Sequence, residues 1–516
     1  MIYPPKAAAD RFIESDRPLK MITKIIFLFA GLISSGICLE ENPRILIIGA
    51  GPSGIAAATR LWKANFTNLK ILEAENRIGG RVNSVKFGDS YVDLGGQWCH
   101  GEKGNVVNEM MKEYDVLRPD TLTIKLVYSN GSYLDDEIGE ELTDFMKALE
   151  KRPEIREKCR NFSSAEDCIN NEFQSTFQHK FRNDPDKLRA TLDAWHLLES
   201  AVLDSTSSPS LSNLSLDTAY VPCEGKDLHW DGRGYKTILE VMMQKFSDPT
   251  KGLPIEDRIL LNREVRKISW NHSDSTIVTI QTTDNSSFEA EHVIFTPSLG
   301  VLKHDHGTLF EPELPEEKIG VIETAGFGAV LKIILHFPEA WWDTQEYALV
   351  WSAEDMEKIK SEYGKGPEKA SMASWLTTLS AILPAVKNPK VLVLFYGGSM
   401  IPEIERTEDQ VLLDGVMYTF RKFFGKNCTV KPDKMLKTSW HSNPHFRGTY
   451  SYDSVNGNSK EYKFPEKLGA PLTRDGRPVV QFAGEATNPH HFATVHGAIE
   501  SGYREADRLI KLYETK

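Results

Sequence analysis

No apolar stretch of this 516-residue chain reaches the length of ~20 residues that a membrane-spanning helix needs. The run at 25–38 is uncharged and largely apolar but stops at 14 residues. Positive charge is in deficit: 61 Lys and Arg face 73 Asp and Glu, a net charge of −12, which argues against nucleic acid as a partner. Only six cysteines are present and none forms a C-x-x-C pair, which argues against a zinc site. Internal repeats and low-complexity tracts are absent, and the terminal Glu514-Thr515-Lys516 is not a peroxisomal address. What remains is an ordinary globular composition, 40% hydrophobic and 26% charged, long enough for two or three domains around a large core.

Residues 1–40 read as a signal region outside the fold. Lys20 and Lys24 precede the 25–38 run, whose length suits a signal-peptide core, and Gly36-Ile37-Cys38 supplies small residues for cleavage. Whether the chain starts at Met1 or Met21 stays open, and an uncleaved N-terminal anchor is the alternative. Acceptor sequons stand at Asn65, Asn130, Asn161, Asn213, Asn271, Asn285 and Asn427. Beyond Cys38 there remain Cys99, Cys159, Cys168, Cys223 and Cys428; Cys159 and Cys168 close a short polar loop and suit a disulfide in a secreted chain. The expected location is extracellular or the lumen of the secretory pathway, with no membrane association once the signal is removed.

The stretch from Arg44 to Arg81 organises the rest. Ile45 to Ile48 reads as a buried parallel strand and runs into Gly49-x-Gly51-x-x-Gly54, followed by a small-residue helix. Gly49 permits the sharp turn, Gly51 lets a phosphate approach the backbone, and Gly54 lets helix and strand touch. The helix N-terminus then faces a pyrophosphate. A second strand ends at Glu73, 19 residues after Gly54, where an acceptor for ribose hydroxyls belongs. Arg77-x-Gly79-Gly80-Arg81 adds a glycine pair and the cation Arg81 beside the expected diphosphate.

This β-α-β unit with its L-E-A-x-x-R-x-G-G-R tail resembles the FAD-binding start of the flavin amine oxidase family. The likeness continues in Asp93-Leu94-Gly95-Gly96-Gln97-Trp98-Cys99-His100-Gly101, whose histidine resembles that of animal spermine and acetylpolyamine oxidases. It continues in Arg447-Gly448-Thr449-Tyr450-Ser451, in Gly484-Glu485-Ala486-Thr487, and in Thr494-Val495-His496-Gly497-Ala498. It covers residues 44–510 with gaps in the helical middle.

The resemblance implies a Rossmann-type α/β FAD domain built from segments 41–104, 251–322 and 448–516, with an α+β substrate domain inserted at 105–250 and 323–447. It implies FAD held by Gly49, Gly51, Gly54, Glu73, Arg81, Val265, Glu485, Thr494 and Val495. The family's flavin-linking cysteine is missing near 447–452, so the FAD is expected to be noncovalent. His100, Glu102, Glu199, Asp204, Tyr450 and Thr494 are the implied substrate contacts, with Lys332 and His100 as the catalytic pair. Lys332 interrupts the apolar strand pattern Phe327 to Phe337, where a charge needs a partner; the resemblance supplies a water at flavin N5.

The implied reaction takes a hydride from the α-carbon of a polyamine such as spermine or an N1-acetylpolyamine to flavin N5. The imine then hydrolyses to an aldehyde and a shorter amine, and O2 becomes H2O2. An L-amino-acid oxidase would need an arginine for the substrate carboxylate, which the sequence does not assign; a secreted FAD-fold binding protein without turnover is the reading from another class. The sequence leaves the oligomeric state, the polyamine and the bond cleaved open.

Expression with residues 1–40 in place is expected to deliver the protein to the medium with glycans and a Cys159–Cys168 bridge. Recovery solely as reduced, unglycosylated cytosolic protein overturns the signal reading.

Overall fold

The computed structural model describes residues 42–514 apart from 122, 152–156, 160–161, 272–276, 364–373, 426–427, 429 and 458–462. The signal region and the sequon residues Asn161 and Asn427 therefore lie outside the described residues.

Two six-stranded sheets carry the molecule. The first is ordered Leu472–Arg474, Arg477–Phe482, His292–Phe295, Ile45–Ile48, Leu69–Leu72 and Ile259–Leu260. Its strands pair in parallel except at the Leu472–Arg474 edge. The central strand Ile45–Ile48 is buried along its whole length, as a sheet covered on both faces requires. One face is covered by helices Pro52–Lys63 and Val495–Glu514, which cross at Gly502: a Cβ there would lie 2.2 Å from Ser53 O. The other face packs on the four-stranded layer Ser287–Ala290, Val278–Thr282, Val265–Ser269 and Phe310–Glu311. Three chain segments thus meet in one nucleotide-type sheet, as the resemblance implies.

The second sheet is ordered Lys434–Lys437, Leu331–His336, Asn388–Tyr396, Leu379–Ala385, Glu346–Val350 and Ile124–Tyr128. It is antiparallel except where Glu346–Val350 meets Ile124–Tyr128. A helical layer, Asp136–Lys151, Ala165–Lys180, Pro185–Asp193 and Trp195–Thr206, covers part of it through Phe145, Phe173 and Phe177. Cys159 and Cys168 form a disulfide at the start of this layer.

Packing departs from the sequence reading in three places. The apolar positions Leu188, Leu192, Trp195, Leu198 and Val202 predict one helix over 187–203; the structure has two, Pro185–Asp193 and Trp195–Thr206, which meet at Ala194. The strand expected over 327–337 is split into Gly326–Gly328, paired with Tyr450–Tyr452, and Leu331–His336. Residues on both flanks of the expected insertion 105–250 belong to the nucleotide core: Val107, Met111, Ile238 and Met242 pack with Ile47, Ile55 and Leu61. The helix Val106–Met111 is nucleated there by Asn105, whose Oδ1 accepts from Val107 N at 2.9 Å.

Gly502→Val should lower stability by about 1–3 kcal/mol, because overpacking against the Ser53 carbonyl outweighs the gain of about 1 kcal/mol or less from replacing a mid-helix glycine. Thermal melts of the flavin-loaded protein check this; an unchanged Tm overturns the close helix crossing.

Candidate active site

A cavity of about 360 Å³ runs along the carboxyl ends of the first sheet. Ile48 to Gly51 and Glu73 line one end, Val265 one side, and Arg81, Gly96, Tyr450, Glu485, Thr494 and Val495 the rest. All three nucleotide-domain segments contribute to its wall.

The glycines divide by what a side chain would meet. Gly49 has φ +103, and a Cβ would sit 2.4 Å from Thr296 Oγ1. Gly54 would put a Cβ 2.0 Å from Gly49 O, so it is the contact between helix and turn and does not line the cavity. Gly51 has an ordinary φ of −75, and a Cβ would meet no protein atom closer than 3.8 Å. The protein leaves that space clear, as a phosphate cradle does. Gly79 and Gly80 both have positive φ, and a Cβ on Gly80 would lie 3.2 Å from Gly51 Cα. This pair serves close approach to the first loop rather than flexibility.

Glu73 is buried, and its two oxygens accept from Ala50 N at 2.7 Å and Glu75 N at 2.8 Å. Burial holds its pKa above the ordinary value while these amides pull it down. Glu485 is more heavily used. Arg81 Nη1 donates to its Oε1 at 2.9 Å, and Ser451 Oγ and Ala493 N donate to its Oε2 at 2.6 and 2.8 Å. Arg81 therefore meets the cavity already paired, with a second bond to Thr449 O at 2.6 Å.

The glycine of the Thr494 to Ala498 string predicts a helix starting at Gly497; the last helix begins at Val495, because Thr494 caps it, with Gly497 N donating to Thr494 Oγ1 at 2.9 Å. Thr494 and Val495 thus present a capped helix N-terminus to the cavity.

The residues expected on the substrate side are placed differently. Tyr450 lines the cavity, and its hydroxyl donates to Asp204 O at 2.6 Å. Asp204 closes the helix Trp195–Thr206 behind it, with Oδ2 accepting from Ser380 Oγ at 3.0 Å. Burial raises the Asp204 carboxyl to about 6. Glu199 lies in the same helix, 3.5 Å from His196 Nδ1, and Glu102 accepts from Lys226 N at 3.2 Å. His100 is half-exposed beside Asp227, Nδ1 to Oδ1 3.3 Å. None of Asp204, Glu199, Glu102 and His100 lines the cavity.

Lys332 is buried one layer behind the wall. Its Nζ donates to Asp93 O, Gly95 O and Gln97 Oε1, each at 2.9 Å, and lies 4.9 Å from the Phe395 ring. The partner that its strand position demanded is thus the backbone flanking Gly96, which does line the cavity. Burial pushes its pKa down to about 8, opposed by the charges of Asp93 and Asp204. Burial likewise raises Asp93 to about 6.

Several wall residues went unread in the sequence. His445 Nδ1 and Asn443 Nδ2 both sit 3.1 Å from Glu75 Oε1, next to Glu73. Arg447 has φ +57 and a buried Nε without a hydrogen bond, 3.7 Å from Asp305 Oδ2. Arg447 opens the Arg447–Ser451 motif, but nothing in that sequence shows which way its side chain turns.

Comparison with known proteins assigns this arrangement. The model of the family "Flavin containing amine oxidoreductase" matches residues 52–510, and the chain belongs to that family. It is 31% identical over 508 residues to the peroxisomal N(1)-acetyl-spermine/spermidine oxidase of Homo sapiens, covering 92% of this chain and 96% of that one. It is 28% identical over 492 residues to polyamine oxidase 1 of Zea mays, covering 92% of each. The fold is shared with a putrescine oxidase structure at TM-score 0.62 and 17% identity, over 91% of this chain and 99% of that one.

The cofactor is FAD, and the residues present fit it. The open cradle at Gly51, the buried Glu73 carboxylate, the orphaned Arg447 Nε and the capped helix N-terminus at Val495 are the groups a dinucleotide with an anionic centre and an electron-accepting ring requires.

Because the space at Gly51 is empty of protein, Gly51→Val should give a colourless protein that keeps its far-ultraviolet circular dichroism. A variant that still binds stoichiometric flavin, read at 450 nm, overturns the cradle assignment.

Proposed function

We propose that this protein is an oxidase of polyamines, acting on a secondary amine of spermine or an N1-acetylpolyamine. The observation that carries the reading is Tyr450, an aromatic wall in the same cavity as the open Gly51 cradle and the capped helix N-terminus at Thr494–Val495, a ring that suits a cationic substrate beside the cofactor. The full-length similarity to acetylpolyamine and polyamine oxidases supports it. FAD, when bound, supplies hydride acceptance from the amine and reoxidation by O2 to H2O2.

The chain's own residues orient and desolvate. The capped helix N-terminus at Thr494–Val495 would stabilise negative charge on a bound flavin ring. Lys332 positions Gly96 by holding the segment Asp93–Gln97 on both sides of it. No cysteine lines the cavity among the described residues, which supports noncovalent FAD. The Cys159–Cys168 bridge supports the secretory location.

Anaerobic addition of spermine or N1-acetylspermine should bleach the oxidised flavin, and leucine should not; bleaching by leucine alone overturns the substrate class. Lys332→Met leaves three acceptors without a donor, at about 1–3 kcal/mol for each group left buried and unsatisfied, and removes a buried charge, which offsets part of that loss. It should still bind flavin but slow turnover about 10²-fold. Stopped-flow traces with both half-reactions at wild-type rates would reduce Lys332 to a structural pin.

A further inference from the structure

Outside the cavity, Cys223 sits among three titratable side chains that the oxidase reading does not use. Val221 N donates to His490 O at 2.8 Å, which lays the Cys223 loop against the turn that precedes the last helix. Cys223 Sγ is 3.9 Å from His491 Nε2 and 3.7 Å from His496 Nε2. The thiol is partly exposed, whereas Cys99 and Cys428 are buried at 0% and 2% exposure.

The proton positions follow from fixed neighbours. Asn105 cannot turn its amide: Oδ1 accepts from Val107 N at 2.9 Å and Nδ2 donates to His100 O at 2.8 Å. Its Nδ2 also faces His496 Nδ1 at 3.4 Å, so that nitrogen accepts. His496 is neutral, its pKa pushed down to about 3 by burial, so its proton is on Nε2 and points at Sγ. His491 is the reverse case. Its Nδ1 lies 2.8 Å from Glu500 Oε2, a carboxylate that accepts only and is itself held by Asn488 Nδ2 at 2.7 Å. The proton of His491 is therefore on Nδ1, and the Nε2 lone pair faces Sγ. The sulfur has a base on one side and an N–H donor on the other, with a carboxylate orienting the base.

These three ligand atoms lie within 4.8 Å of one another, a spacing that a metal ion also fits. Coordination through His496 Nε2 would move its proton to Nδ1, against the Asn105 N–H. The nucleophile reading leaves every proton where its neighbours put it.

We propose that Cys223 is a peroxide-reactive thiol, oxidised to sulfenic acid by hydrogen peroxide with His491 as its general base. His491 Nε2 takes the thiol proton as sulfur attacks one peroxide oxygen. The S–O bond forms, the O–O bond breaks, and the departing oxygen takes the proton from His491 and leaves as water. Sulfur loses two electrons and peroxide gains them. Burial, joined by the charge of Glu500, raises the thiol pKa, so the resting sulfur is protonated and depends on that base. The source of peroxide in turnover rests on the oxidase reading; the reactivity of the thiol does not.

The test treats the full-length flavoprotein, without amine, with added hydrogen peroxide and dimedone, and reads labelling at each cysteine by peptide mass spectrometry. Cys223 should label at least about 10-fold faster than Cys99 and Cys428, and His491→Gln, checked for flavin binding, should remove about 10-fold or more of that rate. Glu500→Gln should fall between, since it leaves the base but loosens its orientation. Equal labelling of the three wild-type cysteines overturns the proposal and needs no variant. A folded His491→Gln protein labelled at the wild-type rate also overturns it, as does stoichiometric zinc that must be chelated before Cys223 reacts. A second arm replaces added peroxide with spermine in air, with and without catalase. Labelling by added peroxide but not by spermine counts against the oxidase reading and leaves the thiol assignment standing.

Discussion

The Glu485 carboxylate ties together pieces of chain from both ends of the sequence. One oxygen takes Arg81 and the other takes Ser451 and Ala493, partners 404, 34 and 8 residues away. The group is buried, and a buried carboxylate stripped of one partner costs about 3–5 kcal/mol. The bond to Ala493 N also holds a non-glycine residue at φ +64, one step before the Thr494 cap. Ala493 determines where the last helix starts and so where its N-terminus points. Arg81, on the opposite wall, is held off the cavity floor by the same carboxylate. The cofactor half of the site is thus set by one acid whose removal would release two walls together.

Lys332 plays the corresponding part between two sheets. Its strand, Leu331–His336, belongs wholly to the second sheet, yet its ammonium ends on the segment that follows Ser90–Asp93, a strand of a separate two-stranded sheet. A charge buried there is costly, which its depressed pKa reports, and Asp93 and Asp204 nearby only partly repay the desolvation. Trp440 Nε1 pins the same segment by donating to Leu94 O at 2.9 Å. Gly95 completes the arrangement: a Cβ there would lie 1.8 Å from Arg81 O. The wall at Gly96 is therefore rigid, with side-chain donors behind it and backbone beside it.

What was legible in the sequence was what is decided locally. The roles of Gly49, Gly51 and Gly54 follow from φ and from the atoms a Cβ would strike, and both are nearly fixed by the turn itself. Glu73 follows from strand length, and Lys332 from the cost of a charge in an apolar run. The substrate acids failed for the opposite reason. Glu102 and Glu199 stand on polar helices and loops whose facing depends on how the helical layer is rotated, and no periodicity reports that angle. The break at Ala194 shows the difficulty: an apolar pattern continuous over 188–202 spans two helices. The trio of Cys223, His491 and Glu500 was invisible because its members come together only through the loop contact at Val221 and His490. His496 was read only as part of a helix-start string.

This division has a consequence for what similarity transfers. The cofactor cradle is built from backbone amides, glycines and caps, and the fold that carries it is shared with a structure at 17% identity. The substrate side is built from side chains carried by an inserted layer. Its one firm attachment to the cavity described here is Tyr450, whose hydroxyl supplies a donor to the Asp204 carbonyl in the last turn of Trp195–Thr206. That carbonyl also accepts from Ser207 N at 3.4 Å, and the shorter bond from Tyr450 fixes the helix end to the ring. Any change that rotates the layer must either break that bond or move Tyr450. The aromatic wall and the helical layer are accordingly tied to each other through the backbone of Asp204.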